Sequence, residues 1–141
     1  TCRSIARQSM ASKILLVEDD PNYRSVLALA LELQGYSVRQ AAGGQRALEL
    51  LSSEQPNLII SDLEMSGMDG RALYKHARGD SELSKIPFII LSAFIDPDES
   101  GTLPDLPADC CLSKQVSFSQ LVQLIKELLD CPQEIPQSNG D

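Results

Sequence analysis

The sequence predicts a doubly wound α/β domain on a five-stranded parallel sheet, and three observations carry that prediction. Ile14–Val17, Leu58–Ile60 and Phe88–Leu91 are short, unbroken apolar runs, the pattern of strands covered on both faces. Segments of helical periodicity separate them, so strand and helix alternate along the chain. The length of 141 residues suits one domain with a sizeable core.

Residues 1–12 show no periodicity and read as an N-terminal extension, tag or linker, with Met10 as a natural start. Ile14–Val17 is the first strand. Asp20 followed by Pro21 reads as N-cap and N1 of the first helix, and Gly35 closes it, with Tyr23, Val26, Leu27 and Ala30 facing inward. Tyr36–Gln40 alternates apolar and polar residues, which suits a half-exposed edge strand. Gly44–Ser53 is the second helix, with Ala47, Leu48 and Leu51 inward, and Leu58–Ile60 is the third strand. Asp69 caps a third helix, Gly70–Arg78, which ends at Gly79. After Phe88–Leu91, the segment 96–107 holds Pro97, Gly101, Pro104 and Pro107, so a short or irregular fourth helix is expected there, with residues 98–107 exchanging their amides faster than the other helices. Cys110–Leu112 is the fifth strand. Ser117 and Gln120 form a capping box for the last helix, whose apolar stripe is Phe118, Leu121, Val122, Ile125, Leu128 and Leu129. The domain is thus expected over 13–130, with 131–141 as a flexible tail.

Composition excludes several classes of function. Twelve Lys and Arg against 20 Asp and Glu give a formal charge of −8, which opposes binding a phosphate backbone by charge. The longest apolar run, Val26–Leu31, is six residues, too short for a membrane span or a signal-peptide core. Cys2, Cys110, Cys111 and Cys131 form no CxxC pair, so neither structural zinc nor a disulfide scaffold is expected, and a reducing cytoplasm is the default setting. Neither a dinucleotide-binding glycine motif nor a P-loop occurs.

The acids that matter lie where strands end. Glu18, Asp19 and Asp20 follow the first strand and Asp62 follows the third; ligands of open parallel sheets bind at the carboxyl ends of strands. If the first and third strands are neighbours, Glu18, Asp19 and Asp62 converge, and three carboxylates together call for a hard cation such as Mg²⁺. Ser92 and Lys114 follow the fourth and fifth strands. Acids, a hydroxyl and a lysine on one sheet edge suit phosphoryl transfer. Asp20 and Asp69 read instead as helix caps, and His76 as a solvent-facing residue.

ILLVEDD at 14–20, LIISDLEMSGMDG at 58–70, IPFIILSA at 86–93 and ADCCLSK at 108–114 resemble the response-regulator receiver domain of two-component signalling. The resemblance implies the flavodoxin-like strand order 2-1-3-4-5. It also implies roles. Asp62 matches the aspartate phosphorylated from a kinase phosphohistidine, and Asp19 the direct metal ligand. Glu18 matches the acid reaching the metal through water, and the Glu64 carbonyl a further ligand. Ser92 and Lys114 match the groups that bind the phosphoryl oxygens. The implied cofactor is Mg²⁺. The implied partners are a sensor histidine kinase or phosphotransfer protein and an unknown downstream protein or output domain. Catalysis would extend only to the domain's own phosphorylation and dephosphorylation.

Some positions depart from the family pattern. Ser66 stands where the family usually has proline, which frees an N–H and should loosen the loop. Gln115 rather than proline follows Lys114, which favours a trans peptide. Cys111 occupies the site of a ring that moves with the switch. These changes avoid the acidic pocket, so phosphorylation chemistry with an unusual readout is expected. The alternative is a pseudo-receiver, a phosphorylation-independent docking module. A phosphatase on this fold is a weaker option, since no substrate pocket is evident.

Overall fold

The computed structural model describes residues 12–93 and 111–130. Five parallel strands, β1 (Lys13–Val17), β2 (Ser37–Ala41), β3 (Leu58–Asp62), β4 (Phe88–Ser92) and β5 (Cys111–Ser113), form one sheet in the order β2-β1-β3-β4-β5. Helices α1 (Pro21–Leu33), α2 (Gly44–Ser53) and α3 (Gly70–Arg78) connect them. A 3₁₀ turn spans Leu83–Lys85, and the last helix is Phe118–Asp130. The irregular fourth helix expected over 96–107, and Cys110, lie outside the described residues.

The two-residue period of a strand divides the core between the faces of the sheet. Leu15, Val17, Ile59, Phe88, Ile90 and Cys111 point to one side. There they pack on Ala47, Leu50 and Leu51 of α2 and on Leu73, Tyr74 and Ala77 of α3. Ile14, Leu16, Leu58, Ile60, Ile89 and Leu91 point to the other, against Leu27, Ala28 and Leu31 of α1 and Leu121 and Ile125 of the last helix. The apolar runs are continuous because both faces are covered. β2, at the edge, is mostly exposed.

The expected helix ends occur. Asp20 Oδ1 accepts from the N–H groups of Asn22 and Tyr23 at 3.0 and 3.4 Å, and Asp69 Oδ1 from Ala72 N–H at 2.9 Å. Gly35 has φ +100°, a conformation that favours glycine beyond a helix end. Ser117 and Gln120 form the reciprocal box, with Gln120 N–H donating to Ser117 Oγ at 3.2 Å and Ser117 N–H to Gln120 Oε1 at 3.1 Å. The peptide between Lys114 and Gln115 is trans, since no cis bond occurs among the described residues.

Three expectations need correction. Val26 does not face inward: it is 69% exposed, and Ala28 and Leu31 are buried in its place. The six-residue apolar run covers every side of α1, so its spacing leaves the buried face open. β2 begins one residue later than expected, at Ser37, and β5 runs one residue further than expected, to Ser113. β3 and β4 run on to include Asp62 and Ser92 as their last residues.

Candidate functional site

Strand register builds the site. Val17 pairs with Ser61 across β1 and β3, so Glu18 and Asp62, one residue further along, face each other at the carboxyl edge. The backbone ladder continues beyond the strands. Glu18 N–H donates to Ala41 O at 3.0 Å, Leu63 N–H to Leu91 O at 2.7 Å, and Lys114 N–H to Ser92 O at 2.9 Å. These bonds deliver the polar residues to one edge with the rigidity of the sheet. Behind Asp62, α3 starts at Gly70, whose N–H donates to Leu63 O at 2.9 Å. A Cβ on Gly70 would lie 2.3 Å from the Asp62 carbonyl oxygen, so glycine permits this approach of helix to strand.

Glu18 and Asp62 are buried and Asp19 is exposed, and one carboxylate oxygen from each lies within 4.8 Å of the others. Lys114 Nζ bridges the buried pair, 3.0 Å from Glu18 Oε1 and 3.0 Å from Asp62 Oδ1. The contact with Glu18 is a hydrogen bond. The contact with Asp62 is an ion pair that engages the buried Oδ1. Burial pushes the Asp62 carboxyl up to about 6, with the charges of Glu18 and Glu64 adding to the shift and Lys114 opposing it. Burial pulls Lys114 down, but the hydrogen bonds and charges of Glu18 and Asp62 outweigh it and hold the ammonium above its ordinary range.

Ser92, fully buried, donates its hydroxyl to Glu64 Oε2 at 2.8 Å. The Glu64 backbone stands in the loop after β3, on the same edge. Ser66 N–H donates to Asp19 Oδ2 at 3.3 Å. The N–H that proline would lack therefore finds its acceptor in the acidic cluster.

All of Glu18, Asp19, Asp62, Glu64, Ser92 and Lys114 thus lie at one edge. Three further contacts had no sequence signal. The Tyr23 ring lies under Lys114, with Nζ 4.5 Å from its centroid. Arg24 Nη1 donates to Glu18 O at 2.7 Å and fixes the turn after β1. The side chain of Glu64 engages Ser92.

Glu18, Asp19 and Asp62 are the acidic group among the described residues whose oxygens could share an ion. Their all-oxygen donor set fits a hard divalent cation. No helix among the described residues is long and apolar enough to cross a membrane.

A 2-1-3-4-5 parallel sheet carrying acids, a hydroxyl and a lysine at its carboxyl edge defines a receiver. The family model of the response regulator receiver domain matches residues 14–126, and the chain belongs to that family. It is 34% identical over 117 residues to a protein named "Probable transcriptional regulator ycf27" from Porphyridium aerugineum, covering 83% of this chain and 48% of that one. The chain spans about half the length of the curated relatives it matches. Among solved structures it resembles the signal receiver domain of a signal transduction histidine kinase from Syntrophus aciditrophicus, with TM-score 0.74 and 31% identity, covering 87% of this chain and 93% of that one. It also resembles the response regulator TrrA of Thermotoga maritima in complex with Mg²⁺ and BeF, with TM-score 0.71 and 30% identity, covering 84% and 99%.

Proposed function

We propose that this receiver is a phosphorylatable switch, in which Asp62 accepts a phosphoryl group from the phosphohistidine of a sensor kinase or phosphotransfer protein. The observation that carries the reading is the buried Asp62 carboxylate, ion-paired to Lys114 and within reach of Glu18 and Asp19 at the carboxyl edge of the sheet. A carboxylate oxygen of Asp62 attacks phosphorus in line as the nitrogen–phosphorus bond breaks, and the imidazole keeps the bonding pair. Lys114 and Ser92 donate to the phosphoryl oxygens and offset their charge. Glu18 keeps Lys114 charged and in place.

Asp19, Asp62 and the Glu64 carbonyl would hold Mg²⁺, with Glu18 reaching it through water. The ion would supply charge neutralisation for the attacking carboxylate and the transferred group. The complex of TrrA with Mg²⁺ and BeF supports this assignment by likeness. Water later removes the phosphoryl group, so the domain turns over only its own modification. In this reading it works in the cytoplasm, and a downstream protein or a further domain reads the switch. Incubation with a small phosphodonor tests the metal assignment. Added mass is expected with Mg²⁺ and not with EDTA, and equal labelling in both would refute it.

A further inference from the structure

The loop after β3 reaches back into the pocket through Glu64, whose carboxylate accepts the Ser92 hydroxyl at 2.8 Å. Ser92 ends β4, beside Asp62 at the end of β3, and is fully buried. A hydroxyl carries one proton and donates to one acceptor at a time. A phosphoryl oxygen on Asp62 would need that same proton. The present acceptor is charged, so the bond being replaced is of the stronger class.

We propose that Glu64 is a positioning residue, a latch that commits the Ser92 hydroxyl in the unphosphorylated protein and that phosphorylation must displace. This rests on the reading of Asp62 as the phosphoryl acceptor and names what sets its threshold. The latch acts through Ser92. It makes the resting conformation an alternative bonded state, so that occupancy of Asp62 is opposed until the phosphoryl oxygens outcompete the Glu64 carboxylate. Removing the carboxylate leaves the Glu64 backbone carbonyl in place and so spares the ligand assigned to the metal.

Two measurements test the latch. In metal-free protein, NMR coupling constants should show one fixed χ1 rotamer for Ser92 in wild type and in Glu64→Gln, which keeps an acceptor. They should show an averaged rotamer in Glu64→Ala. An unchanged rotamer in Glu64→Ala overturns the latch. With Mg²⁺, beryllofluoride should bind Glu64→Ala about tenfold more tightly than wild type, the size of one charge-assisted hydrogen bond. Most of that gain should disappear when Ser92→Ala is added. No gain, or a gain that persists in full without Ser92, overturns the latch and leaves the phosphoryl reading standing. Failure of wild type and Glu64→Ala alike to bind beryllofluoride overturns that reading, and the latch with it.

Discussion

At the scale of residues, Asp62 is held in a conflict that the pocket resolves only in part. Its carboxyl titrates near 6 in the fold because burial, with Glu18 and Glu64 nearby, disfavours its charge. An aspartate raised above its unfolded value of 3.8 binds its proton more tightly when folded, so stability is lost as pH rises through the window from 3.8 to about 6. Asp62→Asn should therefore stabilise the metal-free protein by about 1–3 kcal/mol at pH 8, with the gain vanishing by about pH 3. Denaturant titrations in EDTA at the two pH values check this; a gain independent of pH would contradict it. Glu18, Asp19, Asp62, Ser92 and Lys114 were legible in the sequence because strand ends fix where their backbones emerge. The contacts of Tyr23 and of the Glu64 carboxylate were not, since they depend on rotamers. The bond from Ser66 N–H to Asp19 depends on the path of a loop.

At the scale of elements, β3 and α3 position Asp62 through close backbone packing at Gly70. Gly70→Ala would set a Cβ 2.3 Å from the Asp62 carbonyl oxygen and 3.0 Å from Leu63 Cα. It should cost about 2 kcal/mol or more, since backbone must move. Gly79, at the other end of α3, has φ −85°, and the nearest atom to an added Cβ is 3.5 Å away. Gly79→Ala should be neutral or stabilise by up to about 1 kcal/mol. Equal losses at both sites by denaturant titration would refute this account of how α3 is seated. Capping residues and apolar runs made the elements legible: α2 and α3 span the expected residues, bounded by Gly43 and Asp69. Strand ends were less legible, because Asp62 and Ser92 are polar yet still pair within the sheet. The buried face of α1 was misread at Val26, where Leu29 and Leu33 share its exposure.

At the scale of the whole molecule, the formal charge of −8 resolves into solvated acids, caps and one convergent pocket. A cation that binds the fold and not the unfolded chain raises stability with its concentration. Mg²⁺ should therefore raise the Tm of wild type progressively, and Asp19→Asn should lose most of that rise; an equal rise in both would place the ion elsewhere. The doubly wound topology was legible because covered strands, edge strand and helices each leave a distinct pattern. The side-chain hydrogen bonds that tie the β3–α3 loop to Asp19 and Ser92 leave none. The central claim is that this edge of the sheet transfers a phosphoryl group to Asp62. Intact-mass measurement after incubation with a small phosphodonor and Mg²⁺ tests it most directly. The account predicts one phosphoryl addition on wild type and none on Asp62→Asn; no addition on wild type, or equal addition on both, would contradict it.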